Sequence, residues 1–427
     1  MVQAEAPSHS CSQYSYLTRK RYVLSDPSQS QAQPTARPKV VRIIARLNVG
    51  GAARQVCSLH EKLTGSFETR LIIGCLAPGE QDMSYLLPSD HNVYRLPQMS
   101  REVSFWRDGA ALWQIFKLLR RERPEIVHTH TAKAGVLGRT AAWLARVPVV
   151  VHTYHGHVFY GYFNRTKTRM YLAVERLMGR LSTQVIAVSE SQREELAMKY
   201  RVAVPEKVTI VHNGFELEHF SAGSRQDARR ALGFGEDVFL VAWAGRMVPV
   251  KDVQLLASVV RKAAESQSRI CFLIVGDGTD KPALESMTQG CTNIRLLGWR
   301  EDMAPIWSAA DMALLTSRNE GTPTALIEGM AAGLPFVTTD VGGVRDLALA
   351  PLEDLPDGMG RKAANGFLTP RTPEALFYCI ERIANDSEAA RRMGSVGRAF
   401  ALATFSVQRQ VAEISLLYNV LLARNRL

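Results

Sequence analysis

Short apolar runs alternate with amphipathic stretches along most of this chain, and the alternation runs through twice. The first series begins at Lys39 and reads "VVRIIARL", "TRLIIGCL", "EIVHTH", "VPVVVHTYH", "QVIAVS" and "VTIVHNG". Helical patterns such as "ALWQIFKLLRRER", closed by Pro124, lie between these runs. Short β-branched runs spaced by amphipathic helices specify strand–helix–strand units, and hence a parallel sheet. The second series opens at "DVFLVAWAGR" and continues through "RICFLIVGDG", "NIRLLGW", "MALLTS", "PFVTTD" and "GFLTP". Between the two lies "NGFELEHFSAGSRQDARRALG", a polar segment that reads as a linker. The expectation is an α/β chain with two Rossmann-like domains, 39–215 and 216–402. A tail at 403–427 has helical spacing at Ile414, Leu417, Tyr418 and Leu421 and is expected to pack back across the domains. Open parallel sheets bind ligands at the carboxyl ends of their strands, so two of them make a cleft.

Composition narrows the function classes. Residues 1–38 are rich in Ser, Gln and Pro, show no periodicity and read as a disordered leader. The formal net charge of +11 suggests an anionic partner: nucleic acid, an anionic membrane surface or a phosphorylated substrate. Nucleic acid is disfavoured, because the chain has no zinc-finger spacing, no RNP-like aromatic motif and no dense Lys/Arg block. The basic residues instead spread over amphipathic helices such as "KLLRRER" and "RTKTRMYLAVERLMGR", which suits a membrane surface. The six cysteines are scattered, several inside apolar runs, and read as reduced core residues of a cytoplasmic protein. No run of about 18 apolar residues is present, so no membrane-spanning helix is expected.

The stretch "SRNEGTPTALIEGMAAGLPFVTTDVGG", residues 317–343, concentrates the chemistry. A strand runs into a polar loop and then a helix, with Thr322 expected as N-cap, Pro323 at the first helical position, and Gly333 with Pro335 as the stop. Free N–H groups at such a helix start form an anion site. Glu320 stands before it and Glu328 on its second turn, so both can accept hydrogen bonds from the hydroxyls of one extended ligand. Their rival reading is two solvated acids. In "AWAGRMVPVKD" a strand ends at Gly245, and Arg246 and Lys251 follow at an expected helix start. Together they can grip a diphosphate, or they are simply solvated cations. Glycine loops follow two strands, at Gly50–Gly51 and Gly276–Gly278. Neither completes a dinucleotide fingerprint, since Lys281 stands where the third glycine belongs, though a close approach of backbone to ligand remains open. Five of the ten histidines, His128, His130, His152, His155 and His157, cluster at two expected strand ends. Alternation puts His128 and His130 on one face. Metal ligands, satisfied core residues and ligand-facing side chains all remain open for this cluster.

In the order Gly-Gly loop, "HTYHGH", "NGF", "GRMVPVKD", "VGDG", "LGW" and "EGTPTALIEGMAAGLPFV", the chain resembles glycosyltransferase family 4 of the bacterial surface-polysaccharide type. The resemblance spans residues 39–420. It implies the GT-B fold and a retaining, metal-independent transfer from a nucleotide sugar. By position it implies Arg246 and Lys251 at the diphosphate, the Gly321, Thr322, Pro323 and Thr324 segment at sugar and phosphate, and Glu328 at the ribose. It likewise implies Glu320 at the donor sugar, Gly298, Trp299 and Arg300 near the base, His155 facing donor and acceptor, and Gly50 and Gly51 beside the phosphates. The signature departs slightly from the family pattern, since an aromatic or bulky residue often follows the first Glu-Gly. No cofactor is expected, and the absence of an Asp-x-Asp pair argues against a metal-chelating transferase. The implied acceptor is a polyprenyl-diphosphate-linked or other glycan, met at the inner face of the cytoplasmic membrane. Two rivals remain: a nucleotide-sugar epimerase or hydrolase on the same scaffold, and a non-catalytic nucleotide-sugar-binding protein.

Overall fold

The first sheet contains β1 (Lys39–Ile44), β2 (Glu68–Ile73), β3 (Val93–Arg95), β4 (Ile126–His130), β5 (Val149–Tyr154), β6 (Gln184–Ala187) and β7 (Val208–Ile210). Its order is β3-β2-β1-β4-β5-β6-β7, parallel throughout. The second sheet contains β8 (Phe239–Ala244), β9 (Ile270–Val275), β10 (Ile294–Gly298), β11 (Met312–Leu315), β12 (Phe336–Thr339), β13 (Glu353–Asp354), β14 (Arg361–Ala363) and β15 (Gly366–Thr369). Its order is β10-β9-β8-β11-β12-β15-β14-β13, with an antiparallel hairpin at the last edge. The computed structural model describes residues 37–426 except 49, 78–79, 81, 88–91, 101, 156–164 and 222. The leader, apart from its last two residues, and His157 therefore lie outside the described residues.

Strands β4, β5 and β8 are buried along their whole length, as expected where helices cover both faces of a parallel sheet. Each sheet reverses its winding at one point, between β1 and β4 in the first and between β8 and β11 in the second. A crevice opens at such a point. The segments that leave those four strands carry Gly50–Gly51, His130, Arg246–Lys251 and Ser317–Glu320. Topology alone thus brings the sequence motifs to two facing crevices.

The chain crosses between the sheets twice at one place. Phe215 N–H donates to the Phe405 carbonyl (2.7 Å), and Val407 N–H donates to the Phe215 carbonyl (3.0 Å). The helix Val407–Asn425 then lays Ile414, Tyr418, Leu421 and Leu422 against Val40, Phe67, Ile126 and Val149 of the first domain. The expected return of the tail is what the fold contains, and Pro38–Leu427 forms one compact unit.

One expectation needs correction, and one motif gains a packing role. The segment taken as a polar linker contains a helix, Arg225–Leu232, docked on the second domain. Its anchor is a buried arginine, Arg229, whose guanidinium donates to Asp311 Oδ2 (2.6 Å) and to the Gly235 carbonyl (2.7 Å). A buried cation held by a carboxylate and carbonyls leaves no apolar signature in the sequence. The packing role belongs to the glycines of "VGDG". A Cβ on Gly276 would lie 1.9 Å from the Gly245 carbonyl oxygen, and one on Gly278 2.3 Å from that of Met247. These glycines let two loops of the protein pack closely.

Candidate active site

The loop leaving β11 is pinned from several sides. Trp243 Nε1 donates to Thr316 Oγ1 (3.2 Å), Thr316 Oγ1 to the Lys251 carbonyl (2.9 Å), and Thr339 Oγ1 to the Ser317 carbonyl (2.7 Å). Glu320 is thereby held with Oε1 against both Lys251 Nζ and Ser317 Oγ, each at 2.5 Å. Its Oε2 has no partner among the described residues. The sequence motifs around Glu320 and Lys251, 69 residues apart, are one ion pair. Lys251 closes the turn Pro249–Lys251 rather than opening a helix; the helix Val253–Glu265 starts after Asp252, which caps it from a left-handed conformation (φ 52°). Arg246 is exposed, with no partner for its guanidinium among the described residues.

The helix after Glu320 spans Thr324–Ala331. Pro323, with ψ 85°, is its N-cap, one residue later than expected, and Thr322 makes no capping bond. Thr322 Oγ1 instead accepts from Asn213 Nδ2 of the first domain (3.2 Å). Gly321 also faces that domain, since a Cβ there would lie 3.5 Å from the His155 carbonyl oxygen. Glu328 falls on the second turn as expected, and its Oε2 accepts from Trp307 Nε1 (3.2 Å). Burial raises the Glu328 carboxyl above its usual range, opposed by that hydrogen bond and by the charge of Arg54 across the cleft.

A cavity of about 310 Å³ lies between the domains, lined by Arg54, Gln55, Gly214, Phe215, Met303 and Glu328 among others. That is the size of a small-ligand pocket. It contains Glu328 but not Glu320, Arg246, Lys251 or His155. Gly298, Trp299 and Arg300 do not line it either; the wall is formed by the next residues, Glu301 to Met303. Gly50 precedes the helix Gly51–Lys62, and a Cβ on Gly51 would meet nothing within 4 Å. The backbone at Gly51 is uncrowded.

The histidines divide. His128 is enclosed by the core, with Nδ1 at 2.6 Å from the Tyr418 hydroxyl and Nε2 at 2.7 Å from Thr153 Oγ1. His152 bonds Thr129 Oγ1 (2.8 Å) beneath the ring of Tyr154. Both are satisfied core residues. His130 and His155 are the pair at the cleft, joined Nδ1 to Nε2 at 3.0 Å. Desolvation brings the His155 pKa down to about 4, and burial with the neighbouring His128 charge holds His130 well below its ordinary value. Among the described residues no group of three His, Cys, Asp or Glu side chains is arranged to hold a metal ion.

The profile of Glycosyltransferase Family 4 matches residues 49–219, and that of Glycosyl transferases group 1 matches residues 238–386. A UDP-Gal:alpha-D-GlcNAc-diphosphoundecaprenol alpha-1,3-galactosyltransferase of Escherichia coli is 33% identical over 259 residues, 59% of this chain and 67% of the relative. The chain belongs to glycosyltransferase family 4. The capsular polysaccharide biosynthesis glycosyltransferase CapM of Staphylococcus aureus is 23% identical over 78% of this chain and 86% of its own. The GT-B fold is shared with HepE of Anabaena, solved in complex with UDP and glucose. That structure superposes at TM-score 0.72 with 20% identity, over 90% of this chain and all of its own.

Within the family 4 frame, several residues at the site escaped the sequence reading. Gly343 N–H donates to the Glu320 carbonyl (2.9 Å), and a Cβ on Gly343 would lie 1.8 Å from the Gly321 carbonyl oxygen. Gly342 and Gly343 thus form the floor under the Glu320 loop; the signal was the "DVGG" at the end of the quoted stretch. Gln55 clasps the backbone of Gly214, donating to its carbonyl (2.5 Å) and accepting from its N–H (3.1 Å). That clasp fixes Asn213 at the cleft. No local pattern announces it, because the partners are 159 residues apart.

Proposed function

We propose that this glycosyltransferase moves a hexosyl group, with retention, from a UDP-sugar to a hydroxyl of a polyprenyl-diphosphate-linked glycan during bacterial polysaccharide synthesis. The observation that carries the reading is the grouping of Arg246, the Lys251–Glu320 pair and the start of the Thr324–Ala331 helix at one crevice. As the bond from the sugar's C1 to the diphosphate oxygen breaks, its electron pair goes to the departing nucleoside diphosphate. Arg246, Lys251 and the helix N–H groups lie where that charge grows, and such stabilisation is usually the largest catalytic term. Glu320 Oε2 is free to hold a hydroxyl of the developing oxocarbenium-like sugar, and Glu328 to hold the ribose. The acceptor oxygen bonds C1 on the face that the diphosphate leaves, and its proton passes to the departing phosphate oxygen. No metal takes part in this scheme. The named substrates of the Escherichia coli relative support the choice of donor and acceptor class.

The proposed place of action is an anionic membrane surface at the cytoplasmic side. Among the described residues no helix is long and apolar enough to cross a membrane. Val103, Phe105 and Trp106 are each 83% exposed at the start of the helix Phe105–Glu122. Trp113, Lys117, Arg120 and Arg121 continue the exposed side of that helix. Its carboxylates are already engaged, Asp108 by Lys133 (2.5 Å) and Glu122 by Lys39 (3.3 Å). Lys133 also donates to the Glu102 carbonyl, which ties this apolar corner to the end of β4 and thus to His130. A lipid-linked acceptor could leave its chain in the bilayer there and reach the cleft with its sugar.

The test is a transfer assay with UDP-hexoses and a polyprenyl-diphosphate-linked sugar, with and without EDTA. Incorporation into the lipid fraction that survives chelation is the expected outcome. Donor turnover without acceptor would favour the epimerase or hydrolase, and binding without any turnover would favour the non-catalytic protein. Arg120→Ala and Arg121→Ala are each expected to weaken binding to vesicles with anionic lipid by about 1 kcal/mol. Unchanged vesicle binding in the double variant would remove this face.

A further inference from the structure

The first domain lines the cavity between the domains with one stripe of the helix Gly51–Lys62, formed by Arg54, Ser58 and Glu61. Spacings of four and three residues put these side chains on consecutive turns of a single face. Arg54 is nearest the helix start, and Glu61 lies about 10 Å further along the axis. Arg54 is exposed, and its guanidinium has no partner among the described residues. The helix start beside it has no side-chain cap, so the dipole adds positive potential at the same end of the cavity.

The rest of the charged lining has mostly the opposite sign. Glu61, Glu216, Glu301, Asp302 and Glu328 all line the cavity, against one arginine and His219. Lys62 engages Glu216 (2.8 Å), and Asp302 accepts from the Ala304 N–H (3.1 Å). A wall of carboxylates accepts hydrogen bonds from the hydroxyls and N–H groups of a sugar or a base, and it repels phosphate. A nucleotide therefore fits one way round, with its nucleoside along the acids and its phosphate at Arg54. The other proposed donor contacts agree with that direction. Glu328, read as the ribose residue, lines the cavity, whereas Arg246 and Lys251, read as the diphosphate pair, do not. A diphosphate whose ribose is at Glu328 has to leave the cavity to reach them. The phosphate next to the ribose is still inside, where Arg54 is the only lysine or arginine of the lining among the described residues.

We propose that Arg54 binds the ribose-proximal phosphate of the donor nucleotide and so directs the second phosphate to Arg246 and Lys251. The first domain thereby supplies a cationic side chain to a ligand otherwise gripped by the second. The identity of the ligand rests on the glycosyl-transfer reading, whereas the polarity of the cavity does not.

The experiment is calorimetric titration of uridine, UMP and UDP into the wild type, Arg54→Ala and Lys251→Ala. Arg54→Ala is expected to weaken UMP and UDP alike, by about tenfold or more, and to leave uridine within about twofold. Lys251→Ala should weaken UDP and spare UMP, because its contact is with the second phosphate. Arg54→Gln should repeat the loss and Arg54→Lys recover part of it, which keeps the test alive if Arg54→Ala folds poorly. Truncating a side chain that bonds nothing in the protein should leave Tm unchanged, and this separates a lost phosphate contact from a structural role. UMP affinity unchanged in Arg54→Ala, or an equal loss for uridine and UMP, overturns the assignment. A wild type that binds neither UMP nor UDP overturns it as well. If nucleotide binding responds as described but the wild type transfers no sugar, the role of Arg54 stands and the glycosyl-transfer reading fails.

Discussion

Glu320 and Glu328 share one signature, yet their surroundings differ. Glu320 has a cation at 2.5 Å, while Glu328 has an indole N–H and a more distant Arg54. Burial therefore raises the Glu328 pKa, and the sign of the consequence follows. A carboxyl whose pKa is higher in the folded than in the unfolded state destabilises the fold once it must ionise. That penalty is absent below the unfolded pKa and grows as pH rises through the interval between the two. Glu328→Gln is expected to raise Tm at pH 7 and to lose this advantage as pH falls towards the ordinary carboxylate range. The same variant should chiefly raise the donor KM, as loss of a ground-state contact does. Glu320→Gln should lower kcat more than it raises KM, since on the proposed reading it holds the sugar that reorganises as the bond breaks. Thermal melts across pH and steady-state kinetics check both. A Glu320→Gln enzyme with normal kcat and poor UDP binding would exchange the two roles.

At the scale of elements, the Glu320 loop is only as well placed as the glycines beneath it. Gly343 has no room for a Cβ, because the nearest obstacle is backbone oxygen at 1.8 Å and cannot rotate away. Gly343→Ala must displace the Glu320–Gly321 loop or itself. A shift of about 1 Å at a catalytic group costs on the order of 100-fold in rate. We expect kcat/KM to fall by about that much, with folding retained by circular dichroism. Near-normal kcat/KM would mean that the loop tolerates the shift. This dependence explains what was legible in the sequence. The long strands and the helix after Glu320 could be read because their burial is periodic or continuous, and the helix stop at Gly333 (φ +85°) lies where expected. The three-residue β3 and the β13–β14 hairpin carry too few apolar positions to register. The Arg225–Leu232 helix was missed because its buried anchor is an arginine. The Gln55–Gly214 clasp and the Asn213–Thr322 bond have no local signature, since each joins residues more than 100 apart.

At the scale of the molecule, the chain's last helix belongs to the first domain although it follows the second. Val407–Asn425 covers the face of the first sheet formed by Val40, Ile126, Val149 and Val151. Tyr418 is its central contact: the ring meets the edge of Phe67 (centroids 5.3 Å, 89°) and the hydroxyl reaches His128 Nδ1 at 2.6 Å. Tyr418→Phe keeps the packing and leaves a buried nitrogen of His128 unpaired, which is expected to cost about 1–3 kcal/mol. Tyr418→Ala adds a cavity and should cost more, about 3–5 kcal/mol. Because the lost contacts are all with the first sheet, the loss should be local. Hydrogen exchange should rise in β1, β4 and β5, while β8, β9 and β11 keep their protection. Catalysis should weaken as well, since β4 ends at His130 and β5 just before His155, and the second domain, the proposed donor side, should still bind UDP with near-normal affinity. Equal loss of protection in both sheets would show instead that the two domains unfold as one cooperative unit through the Phe215–Phe405 crossing. No change in exchange for Tyr418→Ala would show that the helix does not hold the first sheet at all.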